Sequence, residues 1–162
     1  ADRRAVAGYF RTRGARLSVD AARRAEALEQ AEIAVRLAPR VAENLAVRGS
    51  ILLGMGRLSD AGADLEDAIR FKPRNAMFRI LGARVALDTG EFAAAEQHLT
   101  VAIENATGLD VLKYITMRGI ARGCIGADLA TCKSIIRSVE QIAGPDPPKK
   151  PAPPDRARSR RR

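Results

Sequence analysis

Tryptophan is absent from this sequence and aromatic residues make up only 4% of it. A β-sandwich, which draws on aromatic and β-branched runs, is therefore a poor first reading. Histidine occurs once, at His98, and cysteine twice, at Cys124 and Cys132. Those three side chains do not make a zinc ligand set, and two cysteines make no disulfide framework. No run of about 18 apolar residues occurs, so no helix is expected to span a membrane. The glycine-containing strings RGSILLGMG and RGIARGCIGAD lack the GK[ST] ending of a phosphate loop, and no strand is expected before either.

What is abundant is small and aliphatic. The hydrophobic fraction is 46%, and with so few aromatics it is Ala, Leu, Ile and Val that must fill the interior. Small side chains allow close backbone approach, which favours Ala-rich helices packed on one another. At 162 residues the chain is long enough to bury a core without disulfides or metals. Its net charge of +9 sits at the ends. Residues 1–24 carry seven Arg against Asp2 and Asp20, and residues 145–162 carry seven Lys or Arg against Asp146 and Asp155. The stretch between holds 14 basic and 15 acidic residues and is nearly neutral.

GRLSDAGADLEDAI, residues 56–69, is answered 34 residues later by GEFAAAEQHLTVAI, residues 90–103. Rows of 34 expose the columns: Ala27, Ala61, Ala95, Leu129; then Ala34, Ala68, Ala102, Ile136; then Ala31, Leu65, Leu99, Lys133. The turn column reads Ala22, Gly56, Gly90, Cys124, and the row-end column reads Pro39, Pro73, Thr107, Gln141. Physically, Gly49 and Ala83 on one helix face Ala61 and Ala95 on the next, so the two axes approach with no bulky side chain between them. Gly56 and Gly90 end the first helix of each pair, where a left-handed residue is often needed. Pro73 stops the second.

This spacing resembles the tetratricopeptide repeat, most fully in the second row, through Leu45, Gly49, Leu52, Gly56, Leu58, Ala61, Leu65, Ala68 and Pro73. The resemblance implies an all-α, right-handed superhelical solenoid of antiparallel helix pairs, about three to four repeats over residues 1–144, best at 42–75 and 76–109. Helices are expected at about 3–14, 19–37, 41–54, 58–71, 76–88, 92–105, 109–123 and 127–142. The outer rows depart from the pattern: the first has Arg11 and Ser18 at apolar or small positions, and the fourth has Lys133 at a normally buried one. A two-residue slip in the fourth row, placing Gly119 in the small position, fits equally well. From residue 145 on, PDPPKKPAPPDRARSRRR reads as an extended or disordered basic tail.

No catalytic set emerges, so the chain is read as a non-enzyme without metal or cofactor. His98 is expected to be an exposed helix residue. Cys124 and Cys132 leave two readings open, a stapling disulfide or two separate half-buried thiols. Asp60, Asp64, Glu66 and Asp67 are expected on a solvated face beside Arg57 and Arg70.

In tetratricopeptide arrays the first helix of each pair lines the concave wall. Carried over, that wall consists of Arg16, Ser50, Arg84 and Arg118 in one column, with Ala46, Ile80 and Tyr114, then Val47, Leu81 and Ile115, and Met77 at the rim. The resemblance implies a protein-binding scaffold or adaptor whose groove takes a peptide or helix with acidic residues, since Arg matches carboxylates in bidentate geometry. The Lys and Asn clamp by which some members hold a chaperone's C-terminal carboxylate is missing, because Glu43, Ser50 and Met77 stand where it would need amide or ammonium groups. The alternative is a subunit of a ribonucleoprotein or other nucleic-acid assembly, anchored by the basic ends, with Arg156, Arg158, Arg160, Arg161 and Arg162 touching phosphates. Self-association is compatible with either. The Ala-, Arg-, Gly- and Pro-rich composition suggests a bacterial, GC-rich origin. The expected setting is cytoplasmic, or periplasmic if a leader precedes Ala1.

Overall fold

Residues 2–106 and 110–134 are described by the computed structural model, and all of their regular structure is helical. The elements are α1 (Arg3–Leu17), a 3-10 turn (Ala21–Arg23), α2 (Arg24–Leu37), α3 (Ala42–Gly54), α4 (Leu58–Phe71), α5 (Ala76–Thr89), α6 (Phe92–Asn105) and α7 (Asp110–Cys124). Residues 129–134 are helical as well. The tail from 145, with Arg156, Arg158, Arg160, Arg161 and Arg162, lies outside the described residues, as does the second half, 135–142, of the helix expected at 127–142.

Local chemistry sets the boundaries. The Asp2 carboxylate accepts from the Arg4 N–H at 2.9 Å and the Asn75 side chain from the Phe78 N–H at 3.1 Å, each satisfying a donor in a first helical turn. Gly56 and Gly90 hold φ of 75° and 84°. Behind them the Arg57 N–H reaches Leu52 O and the Glu91 N–H reaches Ala86 O, closing α3 and α5 with matching left-handed caps. The second helix starts later than expected. The Asp20 side chain accepts from the Ala22 N–H at 3.0 Å, which winds Ala21–Arg23 into a 3-10 turn before α2 begins.

Consecutive helices pair as antiparallel hairpins, α1 with α2, α3 with α4 and α5 with α6. The repeat columns are their seams. Ala27, Ala61 and Ala95 are fully buried, as are Ala34, Ala68 and Ala102, while Ala31, Leu65 and Leu99 are at most 1% exposed. A Cβ on Gly49 would stand 2.9 Å from Leu65 Cγ, so the α3–α4 approach needs a glycine. Burial of Leu65 and Leu99 contributes roughly 1.5–3 kcal/mol each.

The first row is one residue out of step. Gly14, not Ala15, meets the seam, its missing Cβ 3.0 Å from Ala27 O, and Leu17 rather than Ser18 is buried. The longer connection through the 3-10 turn absorbs the shift. In the fourth row Gly126 carries the positive φ of 87°, as a two-residue slip predicts. Gly119, however, has no described atom within 4 Å of where its Cβ would be, so it forms no seam among the described residues.

Two polar groups are buried where the sequence pattern gave no hint of it. Asn44 Nδ2 donates to Ala34 O and Ala38 O at 3.0 and 3.1 Å, tying the end of α2 to α3. Asp64, expected on a solvated face, is only 6% exposed and takes a two-pronged bond from Arg48 of α3 at 2.7 and 2.6 Å. Its neighbours Asp60 and Asp67 do pair on the surface, with Arg57 and Arg70.

Asp64→Ala is expected to cost about 2–4 kcal/mol in urea unfolding, because it strands Arg48; the partial exposure of the Arg48 side chain keeps this below the loss for a fully buried pair. Ala61→Leu should cost about 1–3 kcal/mol by overpacking the α3–α4 seam.

Candidate functional site

α3 packs against both α1 and α5, whereas α4 has no comparable contact with α2 or α6 among the described residues. Helices α1, α3 and α5 are therefore the more closely spaced layer. α7 lies against α6 and has no comparable contact with α5 among the described residues. Tyr114 and Met117 of α7 pack over Ala95, Leu99 and Ala121.

The predicted wall residues fall into three groups. Ala46 and Ile80 are buried and back the wall without offering surface; Val47 and Leu81 are half-buried and pack onto the core. Ser50 and Arg84 are exposed, Met77 is 58% and Ile115 43% exposed, and Tyr114 and Arg118 are half-buried. Arg16 does not join the Arg column. The one-residue shift of α1 puts Ala15 level with Ser50 and turns Arg16 toward a cleft of about 460 Å³ lined by Tyr9, Arg13, Leu17, Asp20 and Arg23.

Part of the chain's positive charge is taken up by its own acids. Arg13 and Arg23 share Glu26, Arg48 holds Asp64, Arg57 holds Asp60, Arg70 holds Asp67, and Arg122 holds Glu96. Arg84 and Arg118 have no ion pair among the described residues, and Asp88, one turn beyond Arg84, does not engage it. Glu43, the acidic residue at the rim, is bonded to Lys72 just past the end of α4, which with the smaller influence of Arg11 holds its carboxyl below the usual range. The exposed middle of the wall is thus apolar and cationic.

A second cleft, of about 290 Å³, lies between α2, α3 and α4. Both of its arginines, Arg48 and Arg57, are already paired. Its chemistry is internal.

His98 is half-buried and not exposed as expected, on α6 over Gly82 of α5, where a Cβ would meet the ring at 3.4 Å. Its Nδ1 lies 3.3 Å from Arg79 Nη1. A guanidinium only donates, so Nδ1 accepts and the ring is neutral with its proton on Nε2. Burial first and Arg79 second hold its pKa below the ordinary value, against a smaller opposing pull from Glu66. Among the described residues no group of three His, Cys, Asp or Glu side chains is placed to hold a metal, and no helix is long and apolar enough to cross a membrane. Cys124 and Cys132 are joined in a disulfide with a Cα–Cα separation of 5.4 Å, the first of the two readings of the pair.

No known protein family matches the sequence, and none of the curated proteins does. Among solved structures, the TPR2AB domain of yeast Sti1 in its pHSP90 complex superposes with a TM-score of 0.64 at 19% identity, over 72% of this chain and 46% of that one. The chain thus spans just under half the length of that structure. The likeness shows the fold: this is a tetratricopeptide-like stack of helical hairpins.

The neutral His98 gives stability a defined pH dependence. The unfolded chain binds a proton that the folded ring resists, so stability is full above about pH 6.5 and declines as pH falls below it. The urea midpoint should be lower at pH 5.5 than at pH 7.5, and His98→Asn should remove most of that difference.

Proposed function

We propose that the exposed middle of the odd-helix wall binds an acidic peptide or helix of another protein, and that the chain works as a non-catalytic scaffold or adaptor. The wall is taken as the concave face of a right-handed superhelix. One observation carries the reading: among the described residues Arg84 and Arg118 have no ion pair, and they share the predicted wall with the exposed Met77 and Ile115, whose rim carboxylate Glu43 is already neutralised by Lys72. An arginine kept beside apolar surface and left without an acid of its own is poised for a carboxylate brought by a partner.

The Sti1 domain is described in a pHSP90 complex, which supports a protein partner in general. It does not carry that partner over, because Glu43, Ser50 and Met77 replace the carboxylate clamp. A second reading, contact with nucleic acid through the basic ends, draws on the arginines of residues 145–162 and on α1, a helix with five arginines and no acidic residue in its first turn. Against it stands the near-neutral body, which has few aromatics for stacking.

Affinity purification with quantitative mass spectrometry should recover partners on the native chain and lose them, by at least tenfold, with Arg84→Glu plus Arg118→Glu, while circular dichroism is unchanged. Equal recovery would rule out the wall. Filter binding of RNA at two salt concentrations, with and without residues 145–162, tests the second reading, and loss of retention on truncation would support it.

A further inference from the structure

The wall ends on α7, and there the means of holding two helices together changes. In the earlier hairpins the seam is a meeting of small residues: Gly14 on Ala27, Gly49 on Ala61, and the fully buried pair Ala83 and Ala95. At α7 that seam is missing among the described residues. The Cβ position of Gly119 faces nothing within 4 Å. Cys124 closes α7 and Cys132 lies in the following helical segment; both are fully buried and packed with Phe92, Leu87, Ile120 and Leu129. α7 is held on one side by its packing on α6, and on the other by a covalent bond.

We infer that the Cys124–Cys132 disulfide is a structural cross-link that completes the C-terminal part of the partner-binding wall, so that the binding-competent protein is the oxidised one and matures in an oxidising compartment. The binding part of this rests on the function proposed above; the cross-link part does not. The bond forms by exchange. The thiolate of one cysteine attacks the disulfide of an oxidant, either a dithiol-disulfide oxidoreductase or a small-molecule disulfide, and a mixed disulfide results. The second thiolate then attacks the first Sγ, and the oxidant leaves reduced, having taken two electrons and two protons in all. Such a bond persists in secretory or periplasmic surroundings, whereas glutathione keeps cytosolic thiols reduced. The cytoplasmic setting expected from the sequence thus gives way, in this proposal, to its periplasmic or secreted alternative. If the two thiols stayed reduced, they would pack as small apolar side chains, and the link between the helices would be lost.

The loop closed by the bond is short, so its entropic effect is local and smaller than that of a long crossing. Once the hairpin is reduced, opening of α7 should become more frequent by a factor on the order of tens. Two measurements on the full chain test this. First, the protein is taken from its native source into an alkylating agent and weighed intact. Both cysteines should escape alkylation until a reductant is added. Second, hydrogen exchange is followed with and without the reductant, and on Cys124→Ala plus Cys132→Ala. Amides of 110–124 should exchange tens of times faster on reduction and in the variant, while those of 42–105 are unchanged.

Two alkylated thiols in the native protein, or exchange in 110–124 that ignores the reductant, would overturn the inference. So would loss of protection along the whole chain, since the cross-link is assigned a local role. Neither readout involves a partner. If Arg84→Glu plus Arg118→Glu leaves partner recovery intact while exchange in 110–124 responds as described, the binding reading fails and the cross-link stands.

Discussion

The structure depends on how closely two helix axes approach within each hairpin. Gly49 against Ala61 and Leu65 shows the constraint most sharply, because a single added methyl would overlap Leu65 Cγ at 2.9 Å. Seams this tight let a chain poor in aromatics build a core from Ala, Leu, Ile and Val. They also fix the relative height of neighbouring helices, since a ridge of small residues locks into only one register. With each pair fixed, stacking brings α1, α3 and α5 side by side in one layer.

That layering decides which charges are used and which remain available. Arg48 points between α3 and α4 and is consumed by Asp64; Arg122 reaches across to Glu96 on α6. These contacts tie one element to the next. Arg84 on α5 and Arg118 on α7 meet no acid of the chain among the described residues. Desolvating an arginine beside apolar side chains is costly unless a carboxylate accompanies it. A surface of this composition therefore favours a partner that supplies acid and apolar contact together.

The sequence revealed the stack more fully than the face. Period-34 recurrence of Ala61, Leu65 and Ala68 with Ala95, Leu99 and Ala102 located the seams because burial acts on every repeat alike, and all six are buried. The first row was legible only in part. Its α1 is displaced by one residue because Asp20 caps a 3-10 turn, and a fixed period cannot register an insertion that a loop absorbs. The same slip removed Arg16 from the column shared by Arg84 and Arg118. Asp64 and His98 were misread for another reason. Their burial depends on Arg48 and Arg79 from the facing helix, and such pairings across a hairpin leave no periodic trace. Asn44 was likewise silent, since its work is to cap the carbonyls of the preceding helix.

Whether the inner wall is where another macromolecule sits is most directly read by NMR titration of methyl- and amide-labelled protein with a short peptide of alternating glutamate and leucine. Shifts that saturate together at Met77, Leu81, Arg84, Ile115 and Arg118, on the odd helices, are the predicted result. Shifts confined to the exposed positions of α2, α4 and α6, or absent at millimolar peptide, would contradict it.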